Sequence, residues 1–421
     1  MRNNPFVFVA IISVIILLID IYSYRGIKKL VNHKSKLFQS FIFYLYWLVP
    51  VFLISGLFLI INSRNEIPQA NSFNYFHALS GSFFLFYLPK LVFIIFNLFD
   101  DFVLLFKRIF PGKKKFENNE TNVINRRQFI TQTGIIAAGL PFLSIAYGIK
   151  WGRFDFTIRN KELFFANLPS SFNGFRILQI SDFHLGSFIG SEEKIKDAVN
   201  IINEQKADII LFTGDLVNNI SEEIIPFLNT LKKLKARYGK YSVLGNHDYG
   251  EYVKWDSDDD KKANLESIIT LQKEMGFDLL MNESRSINIK NDEINFLGVE
   301  NWGLKPFPQY GDLSKALNTV SEDSFKILLS HDPTHWDEQV LKHTNIDLTF
   351  SGHTHGAQFG IEIPGWRWSP VKLRYKRWGG LYKENNQYLY VNTGIGFIGF
   401  PGRVGMPPEI TVVELRNSPI T

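Results

Sequence analysis

The sequence predicts an α/β domain preceded by a membrane-spanning helical region. Three observations lead there. Four apolar stretches of bilayer-crossing length fill the first 151 residues. Beyond Arg153 the pattern changes to short β-rich runs alternating with amphipathic stretches. Each of those runs ends in Asp, Asn or His, and the carboxyl ends of strands are where α/β sheets gather ligands. A chain of 421 residues is long for one domain and comfortable for two, here 1–151 and 152–421.

The apolar stretches run near Pro5–Tyr22, Leu37–Ile61, Ala78–Phe106 and Ile130–Trp151, each close to the roughly 20 residues a helix needs to span a bilayer. Lys90, Asp100 and Asp101 interrupt the third. Lys90 either snorkels or faces a helix partner, and the part beyond Asp100 is alternatively an interfacial helix.

Charge sets the orientation. Residues 1–151 hold 16 Lys/Arg against 6 Asp/Glu, a net +10, which leaves −5 for the rest. Arg25, Lys28, Lys29, Lys34 and Lys36 lie between the first two stretches. Lys107, Arg108, Lys113, Lys114, Lys115, Arg126 and Arg127 lie between the last two. The middle loop has Arg64, offset by Glu66. Positive loops stay cytoplasmic, so both the N-terminus and the chain after Trp151 are expected outside. The expectation is a multi-pass protein of the inner cell membrane with an extracytoplasmic C-terminal domain. Asn125-Arg126-Arg127-Gln128-Phe129-Ile130 resembles a twin-arginine export signal in an internal position. The plainer reading is two more positive-inside residues, and both agree on the outcome. The acidic balance of the C-terminal part argues against nucleic acid as its partner. Cysteine is absent, which excludes disulfides and thiolate metal sites.

In the second half, Arg176–Ile180, Asp208–Phe212, Tyr241–Leu244, Lys326–Leu329 and Asp347–Phe350 read as buried strands. Glu192–Glu204, Glu222–Lys235 and Lys262–Met275 read as helices. The linker Phe110–Asn125 and the acidic run Asp256–Asp260 read as exposed loops.

The strands run in order into Ser181-Asp182-Phe183-His184, Gly214-Asp215, Gly245-Asn246-His247-Asp248, Ser330-His331-Asp332-Pro333 and Gly352-His353-Thr354-His355. Glycine permits the tight turns and close backbone approach such ends need. Carboxylate, imidazole and amide oxygen suit Mn²⁺, Fe or Zn²⁺. Two such ions, about 3.5–4 Å apart, clamp a phosphoryl group and lower the pKa of a bound water toward neutrality. One Asp shared by both ions accounts for the single Gly-Asp. Taken singly, each motif has an ordinary reading: a structural Asp-x-His, a helix N-cap, a turn. Five in one order, each after an apolar strand, do not.

Across residues 153–415 this ordered series resembles the calcineurin-like metallophosphoesterase superfamily. It is most similar to a bacterial membrane-associated branch with twin-arginine-type N-termini. Tyr390-Val391-Asn392-Thr393-Gly394, Pro401-Gly402-Arg403 and Pro408-Glu409-Ile410 carry the likeness to the branch. The resemblance implies a four-layer α-β-β-α sandwich of two packed mixed sheets. It implies one ion on Asp182, His184, Asp215 and His355, and a second on Asp215, Asn246, His331 and His353. It gives catalytic roles to the shared Asp215 and to His247, a non-ligand that bonds the phosphate and protonates the leaving group. Many members carry a second Asp three residues after the Gly-Asp carboxylate, pairing with that histidine. Here the position is Asn218, whose amide orients an imidazole without raising its pKa. Asn218→Asp is therefore expected to extend the substrates toward alkyl esters. Arg403 is expected to touch phosphate or to pair with Glu409. His335 is a substrate contact or a helix residue. The stretch from Trp366 to Trp378 binds an anionic or acyl portion of the substrate, rests on headgroups, or simply covers the site.

The implied activity is hydrolysis of a phosphoester or pyrophosphate by hydroxide activated on two divalent ions (Mn, Fe or Zn). Tethering favours a lipid or lipid-linked substrate, because confinement raises effective concentration. Relatives of the branch include hydrolases of UDP-2,3-diacylglucosamine in lipid A synthesis. That substrate lies on the cytoplasmic face, so the topology above opposes it. Soluble nucleotides or phosphomonoesters are the alternative substrates. A non-catalytic metal-binding sensor is the alternative class.

Overall fold

A computed structural model describes residues 5–62, 69–110 and 126–417. The linker after Phe110, with Lys113, Lys114 and Lys115, and the middle-loop pair Arg64 and Glu66 lie outside the described residues. The chain forms two compact units, Met1–Ile149 and Lys150–Thr421.

The first unit is α1 (Pro5–Val31), α2 (Lys36–Asn62), α3 (Gln69–Ile109) and α4 (Arg126–Lys150). Among the described residues these four helices are long and apolar enough to cross a membrane. Apolar side chains such as Leu18, Val51 and Ile95 stay exposed on their outer faces, as suits helices solvated by lipid. The third helix runs unbroken through Asp100 and Asp101. It can do so because both are paired: Asp100 lies 3.3 Å from Arg126 and 3.8 Å from Lys29, and Asp101 accepts from the Tyr22 hydroxyl at 2.8 Å. Lys90 faces a helix partner and does not snorkel. Its Nζ lies 2.5 Å from Asp20 Oδ1, and Asp20 also accepts from Tyr87. Such pairing offsets the roughly 2.5–3.5 kcal/mol that a charge costs at a membrane helix centre.

The second unit holds β1 (Thr157–Phe164), β2 (Arg176–Ile180), β3 (Ile209–Phe212), β4 (Lys240–Ser242), β5 (Asp278–Leu279), β6 (Glu283–Ile289) and β7 (Asp292–Gly298). It continues with β8 (Phe325–Leu329), β9 (Leu348–Ser351), β10 (Ile361–Ile363), β11 (Trp366–Trp368), β12 (Gly380–Glu384), β13 (Gln387–Val391) and β14 (Glu409–Arg416). Its helices are α5 (Glu192–Glu204), α6 (Leu228–Leu231), α7 (Asp258–Glu274) and α8 (Leu313–Leu317). One sheet has the order β1-β14-β2-β3-β4-β5 and the other β12-β13-β9-β8-β7-β6, while β10-β11 is a separate ribbon. β2, β3 and β4 are parallel to one another, as are β7, β8, β9 and β13.

Why these runs are continuously apolar follows from the layers. On β3, Ile209 and Leu211 face the other sheet, meeting Phe296, Ile327 and Phe350. Ile210 and Phe212 face outward, against Ile195 and Val199 of α5 and Ile268 of α7. On β8, Ile327 and Leu329 point between the sheets, and Leu328 points out toward Trp336 and Val340. Both faces of each central strand are covered, so neither needs polar alternation. This is the expected four-layer α-β-β-α sandwich. Fully burying one such side chain contributes about 1.5–3 kcal/mol, and Ile209→Ala would cost roughly 2–5 kcal/mol.

Two local expectations are corrected. The run Glu222–Lys235 is a 3-10 segment, Ser221–Phe227, followed by the single turn α6. Pro226 inside it removes an N–H and resists a regular α-helix. The acidic run Asp256–Asp260 leads into α7, and its last three residues form the first turn. Ser257 caps the helix by accepting from the Asp260 amide, and Asp258–Asp260 occupy the positive end of its dipole.

Candidate metal centre

The five polar clusters leave the carboxyl ends of β2, β3, β4, β8 and β9, and the two sheets bring them to one place. Aiming these side chains inward requires unusual backbone. Asp182, His184, Asp215, His353 and His355 all have positive φ, between 48° and 72°. Left-handed residues in such number are rare outside functional sites. A Cβ on Gly245 would stand 2.1 Å from Asp215 Oδ1, and one on Gly352 would stand 2.3 Å from Asp182 Oδ2. Glycine at these positions leaves room for the carboxylates.

Two groups of donor atoms converge. In the first, His184 Nε2 lies 3.0 Å from His355 Nε2 and 3.6 Å from Asp215 Oδ2, and His355 Nε2 lies 3.3 Å from Asp182 Oδ1. In the second, His331 Nε2 lies 3.2 Å from each of Asp215 Oδ2, Asn246 Oδ1 and His353 Nδ1. Ligands around 2.0–2.1 Å from one tetrahedral ion stand about 3.4 Å apart, so both spacings fit. Asp215 belongs to both groups.

Surrounding groups fix which atoms face inward. His331 Nδ1 stands 2.7 Å from the Thr213 carbonyl oxygen, an acceptor, so Nδ1 carries a proton and Nε2 is the atom turned toward the other donors. His353 Nε2 lies 2.8 Å from the Tyr375 hydroxyl and 3.5 Å from Asp332 Oδ2, which turns Nδ1 inward. The Asn246 amide donates to the Tyr252 hydroxyl at 2.8 Å, aiming its oxygen at His331. The Asp248 carboxylate accepts from the amides of Gly245, Leu216 and Asp215 at 2.8–2.9 Å, tying two motif loops together.

The electrostatics ask for a cation. Burial lowers His184 to about 3 and His353 to about 4, and it holds His355 well below its usual value, so these imidazoles are neutral and able to ligate. Burial opposes a charge on His331 too, yet Asp215 and Asp182 outweigh it and raise this group to about 10. Burial works against an ionised Asp215 as well, and His331 and His247 overcome it, holding the carboxyl well below its normal range. Asp182 and Asp248 are pushed up to about 7, chiefly by burial. A site that draws a proton this strongly onto one histidine has an unmet need for positive charge. Divalent ions would meet it, so the donor set fits two metals.

His247 sits beside these groups. Its ring is 4.8 Å from that of His184, and its amide donates to Asp215 Oδ1 at 2.9 Å. Asn218 reaches it through the main chain: His247 Nδ1 is 2.7 Å from the Asn218 carbonyl oxygen. The Asn218 side chain turns instead to the Ser187 hydroxyl, 3.2 Å away. The next amide, of Asn219, donates to Glu223 Oε1 at 3.1 Å. Glu223 is fully buried and also accepts from the amides of Asn218, Ile220 and Gly186. Burial pushes its carboxyl up to about 7 against those four donors.

Arg403 is buried behind His355 and makes no ion pair with Glu409. Its Nη2 donates to the carbonyls of Thr393 and Gly396 and stands 3.2 Å from His355 Nδ1. Both Nη2 hydrogens are used on carbonyls, so Arg403 acts on His355 through charge. Glu409 accepts from Tyr390, Thr393 and Thr411. His335 is a buried helix residue, with Nδ1 2.9 Å from Ser330 Oγ and its ring on Trp302. Sequence reasoning did not assign roles to Glu223, Asp248, Asp332 and Tyr252. Only Asp248 and Asp332 carried a signal, as acids adjoining the motif histidines.

Comparison with known proteins agrees with this geometry. A family model described as "Calcineurin-like phosphoesterase" matches residues 175–357, and one described as "Probable Calcineurin-like phosphoesterase, transmembrane domain" matches residues 2–153. An uncharacterized metallophosphoesterase of Bacillus subtilis, YkuE, is 31% identical over 306 residues, covering 70% of this chain and 99% of the relative. A transmembrane protein with metallophosphoesterase domain from Danio rerio is 30% identical over 60% of this chain and 55% of its own length. The chain thus spans about half of that relative. An uncharacterized metallophosphoesterase of Campylobacter jejuni is 26% identical over 97% of this chain and 98% of its own.

Proposed function

The chain belongs to the calcineurin-like metallophosphoesterases with an N-terminal transmembrane domain, and from that premise we propose that it hydrolyses a phosphoester or pyrophosphate of a lipid or lipid-linked molecule. The observation that carries the hydrolytic reading is Asp215 Oδ2 lying between His184 and His331, one carboxylate serving two donor groups. Asp182, His184, Asp215 and His355 would hold one divalent ion, and Asp215, Asn246, His331 and His353 the other. When bound, such ions supply Lewis acidity toward phosphoryl oxygens and acidify water.

The protein's own residues do the rest. His247, held at Nδ1 by the Asn218 carbonyl, presents Nε2 to the substrate, where it binds a phosphoryl oxygen and protonates the leaving oxygen. A carbonyl partner stabilises an imidazolium less than a carboxylate would. His247 is therefore suited to good leaving groups, such as phosphoanhydrides. Asp248 and Thr213 keep the proposed ligands in place so that little reorganisation accompanies reaction.

The lipid-linked substrate class rests on membrane anchorage, since a tethered enzyme gains most on a substrate confined to the same bilayer. The basic loops support an extracytoplasmic catalytic domain. The Arg126–Asp100 pair supports a structural role for Arg126 over an export signal. Screening the purified full chain against lipid-linked and soluble phosphates, with metal content measured in parallel, tests the function. A C-terminal reporter fusion tests the side: a cytoplasmic result would reverse the orientation and bring UDP-2,3-diacylglucosamine forward as substrate.

A further inference from the structure

The ribbon β10–β11 is apolar on the wrong side for a soluble protein. Its register sets Ile361 opposite Trp368 and Ile363 opposite Trp366, with Glu362 opposite Arg367 between them. Side chains alternate along strands, so the two isoleucines and two tryptophans share one face and the ion pair takes the other. The charged face turns to the domain. Glu362 Oε2 lies 2.7 Å from Arg159 on β1 and 3.7 Å from Arg367, and Arg367 is 3.9 Å from Glu409. The apolar face turns outward, with Ile361, Ile363 and Trp366 each 50–55% exposed. Leu373 follows at 88% exposure, between the exposed cations Lys372 and Arg374. A contiguous exposed apolar face rimmed by charge marks an interaction surface.

We propose that this face seats the catalytic domain on an anionic phospholipid bilayer. Tryptophan places an apolar ring and a polar N–H at the headgroup level, isoleucine reaches below it, and Lys and Arg meet lipid phosphates. The cations Lys372 and Arg374 stand out in a half of the chain whose net charge is −5. Within the domain, its first residues and this ribbon meet the same loop. The chain enters the domain from α4 at Lys150, and Arg153 donates to the Pro401 carbonyl at 3.2 Å. The flanking carbonyls of Phe400 and Gly402 accept from Gln358, at the base of the ribbon, at 2.6 and 2.7 Å. Chain entry and ribbon thus share one scaffold. Tyr375, two residues past Leu373, touches His353. A headgroup taken from the seated bilayer then has a short path to the metal centre.

This inference rests on the membrane anchorage of the proposed function and not on the hydrolysis. The test uses the absence of cysteine. The full chain carrying Ile363→Cys, Trp366→Cys or, as control, Asp259→Cys is spin-labelled and placed in nanodiscs containing phosphatidylglycerol. Labels at 363 and 366 are expected to collide less with a water-soluble nickel complex and more with oxygen than the label at 259. Collision rates equal to those at 259 would overturn the proposal. So would protection that appears only when two chains share a disc, with dipolar coupling between labels, because the occupant would then be a second copy. Turnover of a soluble aryl phosphodiester by the same labelled chains reports on hydrolysis separately, so either reading can fail alone.

Discussion

His247 is held by the backbone of Asn218: its Nδ1 lies 2.7 Å from the carbonyl oxygen, while the Asn218 side chain packs against Ser187. The residue at this position therefore acts on the histidine whatever its side chain. Asn218→Asp would set a second carboxylate near buried Glu223, whose Oε2 accepts from the Asn218 amide. The expected outcome is a loss of stability of about 1–3 kcal/mol with unchanged leaving-group dependence. Thermal unfolding and a series of aryl and alkyl esters check both. A shift toward alkyl esters would show that the side chain reaches His247 after all.

His247→Gln should lower kcat by about 10²–10⁴-fold, the usual contribution of a general acid. Bound metal should stay unchanged, because His247 is outside both proposed ligand sets. The loss should be smallest for the best leaving groups. Metal analysis beside steady-state kinetics separates this from a ligand defect.

Arg403→Met should weaken metal binding and leave KM for phosphate esters near its original value. The guanidinium touches carbonyls and His355, so its removal strands acceptors and frees a proposed ligand. The expected stability cost is about 1–3 kcal/mol, with a 10–100-fold loss of metal affinity, as for other groups behind a ligand. A selective rise in KM would instead put Arg403 on the substrate.

His335 gives a pH dependence. Burial depresses its folded value to about 4, against about 6.5 in the unfolded chain. Between these values the unfolded state binds the extra proton. His335 therefore costs nothing above pH 6.5, and stability falls as pH drops from 6.5 toward 4. His335→Gln should flatten this slope by close to one proton, read from denaturant unfolding at several pH values.

The convergence of these side chains was legible in the sequence because candidate ligands at strand ends need only local signals. An apolar run, a glycine and an Asp or His suffice, and α5 was legible from its amphipathic period alone. What was not legible depends on distant partners. Strands β1 and β14 pair although about 250 residues separate Thr157 from its partner Glu409. Glu223 supports His247 through an intervening peptide that no spacing encodes. Asn218 is read from its side chain in a sequence, whereas the fold uses its carbonyl. The Asp256–Asp260 run shows the ambiguity of charge, since a solvated loop and the acidic first turn of a helix have the same composition.

The most direct test of the dinuclear hydrolase reading is metal stoichiometry measured together with hydrolysis of an aryl phosphodiester, in the full chain and in Asp215→Asn. Two divalent ions per chain are expected, with activity lost on chelation and restored by Mn²⁺, Fe or Zn²⁺. Asp215→Asn should bind fewer ions and lose at least about 10²-fold in rate, as the loss of several kcal/mol of transition-state stabilisation implies. A chain that holds two ions and hydrolyses no phosphoester, or an Asp215→Asn variant as active as the original, would contradict it.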